Sequence, residues 1–139
     1  MTEHDPDGAD TVSGDVVDIT VPANGAYVAT LRLTASSLAA RCDLTVDDID
    51  DLSLAVDEAC ALLLPHAVPG SVLSARFTLD AGCITVASSV HAPDASEASP
   101  DRSGFAWSLL SALASEVAVD GAGEKLSITV TKRRENAPA

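Results

Sequence analysis

Residues 43–65, DLTVDDIDDLSLAVDEACALLLP, predict one long amphipathic helix, and the other elements of the fold are placed around it. Thr45 and Asp48 have the spacing of a capping box, with Asp in place of the usual Glu, and further aspartates follow where the helix dipole favours negative charge. Pro65 ends the helical pattern. Apolar residues recur at intervals of three and four and predict a buried stripe: Ile49, Leu52, Val56, Ala59, Cys60 and Leu63.

Two adjacent carboxylates, Asp57 and Glu58, interrupt the apolar part of this helix. Burial of a charged group is costly unless the group is paired or takes part in chemistry. Two interpretations follow: Glu58 is a working acid or base, or both residues lie on a solvated face of the helix. Motifs elsewhere in the chain distinguish these two interpretations.

Shorter segments on either side of this helix predict the remaining elements. Helical spacing predicts helices over residues 24–42 and 104–117, and alternating β-branched residues predict five strands. The strands cover residues 16–22, 71–80, 83–90, 117–120 and 125–134. The order is β-α-α-β-β-α-β-β, which indicates an α/β fold: a two-layer sandwich with a mixed, mostly antiparallel sheet and helices on one face.

The domain organisation follows from composition. Residues 1–15 are acidic and contain two Gly and one Pro, which predicts a disordered tail. Residues 16–134 form a single domain, and residues 135–139 form a flexible C-terminal tail. Within the domain, residues 91–103 are rich in Pro, Ser, Ala and acidic residues and are interpreted as a linker.

The formal net charge of -13, from 21 acidic and 8 basic residues, excludes some partners and favours others. Nucleic acid is not an expected partner, because phosphate binding depends on Lys and Arg. A basic protein surface is an expected partner, because a charge imbalance of this size steers association. No signal peptide or apolar run long enough to span a membrane is found, so the expected location is the cytoplasm.

The cysteines Cys42, Cys60 and Cys83 have no metal-binding spacing and are expected to be small core residues. The histidines are scattered along the chain, so no metal site is predicted. Cys42, near the end of the first helix, and Cys60, in the second, leave redox control by a pairing of these two residues as a further hypothesis.

Two long segments resemble a known family. VPANGAYVATLRLTASSLAARCDLTVDDIDDLSLAVDEAC, residues 21–60, is similar without gaps to the N-terminal half of the bacterial anti-sigma factors that double as serine kinases. ALASEVAVDGAGEKLSITVTKRR, residues 112–134, resembles the last helix and strands of that family, so the resemblance covers about residues 16–134. These regulators belong to the histidine-kinase-like ATPase superfamily, whose α/β sandwich agrees with the predicted element order.

In that family the second helix carries Glu-x-x-x-Asn, in which the Glu polarises the attacking hydroxyl and the Asn helps to hold Mg²⁺. This spacing puts both side chains on one helix face. Glu58 matches the Glu, but Leu62 stands at the Asn position. Because Leu offers no oxygen to a hard cation, the resemblance implies a vestigial Glu58 without a catalytic role.

The two other nucleotide motifs of the family are altered as well. Ser88 stands where the family has the Asp that binds the adenine amino group, and Val90 stands at the glycine that follows. GFAW, residues 104–107, keeps Gly104 of the phosphate-binding Gly-x-Gly-Leu but replaces its second Gly and its Leu. Nucleotide binding is therefore expected to be weak or absent, with no cofactor, and the solvated helix face is the preferred interpretation of the two carboxylates.

The resemblance implies a regulator that binds protein partners. Members of the family sequester an alternative, stress-type sigma factor as a dimer and release it to an anti-anti-sigma protein. An Arg on the first helix contacts both partners, and Arg32 matches it. We therefore predict an anti-sigma factor that works by sequestration through Arg32, and a homodimer as a further expectation. The alternatives are an active serine kinase that uses ATP and Mg²⁺ on an anti-anti-sigma protein, and an unrelated α/β binding module.

Overall fold

Within residues 12–96 and 102–135, which the computed structural model describes, five strands and three α-helices follow one another in the predicted order. Short 3-10 turns precede the first helix and follow the second. The elements have these bounds: β1 Ser13–Pro22, α1 Val28–Ala39, α2 Val46–Leu63, β2 Val72–Asp80, β3 Cys83–His91, α3 Phe105–Leu113, β4 Glu116–Ala122 and β5 Lys125–Arg133.

The sheet has the strand order β1-β2-β3-β5-β4, and every pairing among the described residues is antiparallel. The expected α/β sandwich is confirmed, but the expected mixed sheet is wrong. β3 and β4 do run in the same direction, with the single helix α3 between them in the chain. β5 lies between these two strands and pairs antiparallel with both, so no parallel pair forms.

The core lies between one face of the sheet and the helices. Side chains of β2, β3 and β5 alternate between buried and more exposed along each strand, so only one face of the sheet is covered. α2 is the central helix and packs against both α1 and α3. The core is mainly aliphatic, and Phe77 is its one fully buried aromatic residue in the described part of the chain.

Capping interactions set the starts of the helices. Thr45 and Asp48 form the predicted capping box of α2: the Asp48 amide donates to Thr45 Oγ1 at 3.1 Å, and the Thr45 amide donates to Asp48 Oδ2 at 3.2 Å. Asn24 accepts a hydrogen bond from the Ala26 amide and caps the 3-10 turn, so α1 begins only at Val28, later than predicted. Of the described helices, none is both long and apolar enough to cross a bilayer.

The predicted flexible segments are described only in part. Residues 1–11 and 136–139 of the predicted tails lie outside the described residues, as do residues 97–101 of the predicted linker. β1 begins at Ser13, earlier than predicted, because its pairing with β2 continues until Ser13 lies opposite Asp80. The last residues of the predicted N-terminal tail are therefore part of the sheet.

The first part of the predicted linker is packed against the sheet. Ala92 and Ala95 are buried, and the Ala92 amide donates to the Glu124 carbonyl at 2.7 Å. The Ala95 carbonyl approaches β4 at Gly121, where a Cβ atom would lie 2.0 Å from the carbonyl oxygen. Gly121 is required here for close backbone approach, and it fixes where the chain leaves β3 for α3.

Candidate functional site

Glu58 and Leu62 lie one turn apart on α2, and both are half-buried. Glu58 follows Asp51 by two turns and so has nearly the same angular position on the helix. Asp51 Oδ2 lies 3.4 Å from Lys132 Nζ, which also donates to the carbonyl of Leu113 at the end of α3 at 2.9 Å. Glu58 therefore lies on the side of α2 that faces α3.

Ser88 and Gly104 lie on the elements next to that side of α2. Ser88 is 1% exposed on the covered face of β3, between Ala75 of β2 and Ile128 of β5. Gly104 is the N-cap of α3 and makes no side-chain cap, and its carbonyl accepts from the Ser108 amide at 3.2 Å. Because α2 packs against α3 and contacts β3, the fold brings together the elements that carry all four residues of the predicted nucleotide site.

Two of the four positions carry side chains without charge. Leu62 packs against the hydrophobic core, and Ser88 is an uncharged hydroxyl. In residues 12–96 and 102–135, no group of three or more His, Cys, Asp or Glu residues could hold a metal ion. Leu62 offers no oxygen ligand to a hard cation, whereas Glu58 one turn before it carries a carboxylate.

Aromatic side chains mark the start of α3. Phe105 is 79% exposed, whereas Trp107 is partly buried against the core. The guanidinium of Arg102 lies over the Trp107 ring, 4.8 Å from its centroid, which is within the range of a cation–π interaction. Trp107 stands where the Gly-x-Gly-Leu motif has Leu, and its ring contacts the guanidinium of Arg102.

Arg32 has an intramolecular partner that sequence reasoning missed. Its Nη1 donates to Asp57 at 3.2 Å from Oδ1 and 3.1 Å from Oδ2, and the two side chains are 37% and 25% exposed. One turn along the helix pair, the Ser36 and Ser53 hydroxyls share a 2.5 Å hydrogen bond. The interpretation of Asp57 as part of a solvated helix face is therefore wrong, whereas Glu58 makes no ion pair within the described residues.

Burial governs the chemistry of the thiols. Cys42 and Cys60 are buried, Cys83 is half-buried, and all three are free. Burial is the main reason why the pKa of the Cys60 thiol is raised to about 12, and it also raises the pKa values of Cys42 and Cys83. Thiols with raised pKa values are poor nucleophiles, so the hypothesis of redox control by Cys42 and Cys60 gains no support.

The element order, the antiparallel sheet and the placement of the four nucleotide-site positions agree with a sequence match. Residues 21–132 match the family described as the histidine kinase-like ATPase domain, and the chain belongs to that family.

Curated relatives include proteins named serine-protein kinase RsbW. The one from Bacillus velezensis is 44% identical over 57 residues, which cover 41% of this chain and 36% of that protein. The one from Halalkalibacterium halodurans is 43% identical over 66 residues, which cover 47% of this chain and 41% of that protein. These matches span less than half the length of either relative.

A solved structure has the same fold. It contains the RsbU and RsbW domains of Rv1364c from Mycobacterium tuberculosis and matches 86% of this chain and 32% of its own, with a TM-score of 0.62 and 19% identity. At this identity the likeness concerns the fold alone.

Proposed function

We propose that this chain is an anti-sigma factor that sequesters an alternative, stress-type sigma factor and is released by an anti-anti-sigma protein. The observation that carries the proposal is the outer surface of α1 and α2, called here the α1–α2 surface. It is formed by Arg32 and Leu33 of α1 and by Asp50, Leu54 and Asp57 of α2.

The α1–α2 surface combines an arginine with exposed apolar side chains, as binding hot spots commonly do. Leu33 is 64% exposed and Leu54 is 47% exposed. Asp57 engages only Nη1 of Arg32, so the Nη2 and Nε edge of the guanidinium has no partner among the described residues. That edge carries the parallel N–H groups that bind a carboxylate in bidentate fashion.

The charge around this surface favours a basic partner. Seven acidic residues and no basic residue lie between positions 43 and 58. Ion pairs with Arg134, Lys132 and Arg32 neutralise Asp43, Asp51 and Asp57, while Asp47 and Asp50 have no such partner within the described residues. A DNA-contacting region of a sigma factor has the complementary charge.

We also propose that the nucleotide site is degenerate. Leu62 supplies no metal ligand, Ser88 supplies no charge for the adenine amino group, and phosphoryl transfer depends on such positioning. Two observations favour the alternative of an active serine kinase acting on an anti-anti-sigma protein with ATP and Mg²⁺: Glu58 is retained on the side of α2 that faces α3, and the curated relatives are named serine-protein kinases.

Affinity capture from a bacterial lysate, with the full chain as bait, tests the sequestration proposal. We expect a sigma factor among the captured proteins and, with both proteins purified, an affinity at least about tenfold lower for Arg32→Glu. Arg102→Glu makes the same charge change at the start of α3 and is the control. If no sigma factor is captured, or if both variants bind like wild type, the proposal fails.

Calorimetry with ATP and Mg²⁺ separates the two functions. If the nucleotide motifs are degenerate, we expect no heat of binding at nucleotide concentrations from micromolar to millimolar. Micromolar binding that Glu58→Ala abolishes would instead support the kinase, and transfer of phosphate to a purified anti-anti-sigma protein would establish it.

A further inference from the structure

The face of the sheet that points away from the helices, called here the open face, holds a cavity of about 490 Å³. The helices that the structure describes pack on the opposite face. Small-molecule sites in proteins commonly have volumes of about 300–1,000 Å³, so the cavity has room for a ligand. Most of its lining residues are polar, among them Thr20, Ser74, Arg76, Ser89, Lys125 and Ser127.

The cavity is separate from the predicted nucleotide site. Ser88 is buried on the covered face of β3, whereas Ser89, the next residue, is half-buried and lines the cavity. Successive side chains of a strand point to opposite faces of the sheet. The sheet therefore lies between the cavity and the side of α2 that carries Glu58.

Three serines form a row across the cavity. Ser89 of β3 is the pairing partner of Ser74 on β2 and of Ser127 on β5. Side chains directly opposite one another on neighbouring strands lie about 5 Å apart, so the three hydroxyls are neighbours. None of the three makes a side-chain hydrogen bond within the described residues, so each can donate to a ligand.

Two cations lie at opposite corners of this row. Arg76 follows Ser74 by two residues, and Lys125 precedes Ser127 by two residues, on strands that both run antiparallel to β3. Each cation is therefore a diagonal neighbour of Ser89, with about 7 Å between the Cβ atoms. Long side chains at this distance reach a group that lies over Ser89.

Lys125 is exposed, and its ammonium makes no ion pair or hydrogen bond within the described residues. This is unexpected in a chain with 21 acidic and 8 basic residues. Carboxylates pair with most of the other basic residues: Arg32, Arg76, Lys132, Arg133 and Arg134. The unpaired lysine thus lies at a cavity of unpaired hydroxyls.

The nearby carboxylates leave the centre of the cavity positive. Asp18 lines the cavity, but it accepts hydrogen bonds from Arg76 Nε and Nη2 at 2.8 and 3.0 Å, which neutralises it and leaves Arg76 Nη1 for another acceptor. Glu124 lies 3.4 Å from His91 beyond Lys125. Asp120 is the partner of Ser127 on β4 and is not among the residues that line the cavity.

We infer that this cavity binds a phosphate group, which lies over Ser89 between Lys125 and Arg76. Three hydroxyls, an ammonium and one guanidinium nitrogen are more donors than the two oxygens of a carboxylate need, whereas a phosphate accepts through three oxygens. The phosphate is either the free ion or part of a small phosphate ester, and the cavity has room for either.

NMR titration of the full, ¹⁵N-labelled chain at constant ionic strength tests the inference, with inorganic phosphate and glycerol 3-phosphate as separate probes. We expect saturable shifts of the Ser89 and Ser127 amides. Lys125→Gln should raise the dissociation constant at least about tenfold. Arg41→Gln removes the same charge at an exposed position after α1 and should bind like wild type. Ester binding that is tighter than phosphate binding identifies a phosphorylated small molecule as the ligand, and otherwise the ligand is the free ion.

Ser89→Asp is a second variant that does not depend on Lys125. It places a carboxylate at the centre of the row and should abolish saturable binding, and dispersed amide spectra show that each variant is folded. Three results would overturn the inference: no saturable shift with either probe, equal affinities for wild type and folded Lys125→Gln, or shifts confined to residues around Gly104. The titration needs no sigma factor, so its failure is distinguishable from failure of partner capture.

Discussion

Arg32 of α1 holds Asp57 of α2 through a single nitrogen, with Nη1 at 3.2 Å from one carboxylate oxygen and 3.1 Å from the other. The hydrogen bond between Ser36 and Ser53 lies one turn away along the same pair of helices. Together these contacts form a polar seam that joins α1 to α2. The orientation of Arg32, and with it any contact that Arg32 makes to a partner, depends on the packing of the second helix.

Asp57→Ala is expected to weaken partner binding more than it weakens the fold. The pair is partly exposed, so its loss costs at most about 1 kcal/mol of unfolding free energy. Arg32 then loses the contact that orients it, and the affinity for the captured sigma factor should fall several-fold. Urea denaturation and titration of the purified partner measure the two effects. Asp120→Ala removes an exposed carboxylate of β4 that lies outside the α1–α2 surface and has no ion pair among the described residues, and it is the control.

Lys132 is a buried cation whose partners are more exposed than it is. Its side chain is 1% exposed, while those of Asp51 and Glu135 are 39% and 54% exposed. Its Nζ also donates to the carbonyl of Leu113 at the C-terminal end of α3, where the helix dipole favours a positive charge. Through these three contacts Lys132 connects β5 to α2, to α3 and to Glu135.

This asymmetry predicts that removing the carboxylates is worse than removing the lysine. In Lys132→Met the freed carboxylates are hydrated, and we expect a loss of about 1 kcal/mol. The double variant Asp51→Ala, Glu135→Ala leaves a buried ammonium with one carbonyl, and we expect a loss of about 3 kcal/mol. Chemical denaturation of both variants checks the order, and a larger loss in Lys132→Met would contradict the explanation.

Features fixed by neighbouring residues could be predicted from the sequence. The capping box of Thr45 and Asp48 was predictable because both partners lie within one turn of α2. Strands β2 and β3 were predictable because apolar and polar residues alternate along each of them, as they do in a strand with one covered face. Local patterns of this kind were enough for the order of the elements and for the α/β sandwich.

Features fixed by distant residues could not be predicted in the same way. Arg32 and Asp57 are 25 positions apart, and Lys132 and Asp51 are 81 positions apart, so no local spacing signals either pair. The antiparallel sheet depends on β5 lying between β3 and β4, which no single strand pattern reveals. A lone Lys among alternating apolar residues of β5 was the available sign of a buried cation.

Gly121→Ala is expected to disturb the path of the chain between β3 and α3. The new Cβ would lie 2.0 Å from the Ala95 carbonyl oxygen, so the backbone of one segment has to move. We expect a loss of about 2 kcal/mol in unfolding free energy. A Cβ on Gly25 meets nothing within 4 Å, so Gly25→Ala is the control and should change stability by no more than about 0.5 kcal/mol. Equal stabilities of the two variants would contradict the close approach.

The buried thiol of Cys60 predicts a loss of stability at alkaline pH. Its pKa is raised from 9.0 to about 12, mainly by burial and further by the negative charge of Asp57. Below pH 9 both the folded and the unfolded chain keep the thiol proton. Between pH 9 and about 12 the unfolded chain loses this proton while the folded chain keeps it, so unfolding becomes easier as the pH rises.

The contribution of this one thiol is at most about 1.4 kcal/mol per pH unit over that interval. Cys60→Ala removes the titrating group, and although it lowers stability at neutral pH, its stability should fall less steeply above pH 9 than that of the wild type. Cys83→Ala is the control, because that thiol is only half-buried and its removal should flatten the curve less. Urea denaturation at a series of pH values measures the slopes, and equal slopes for wild type and Cys60→Ala would show that Cys60 is not the group responsible.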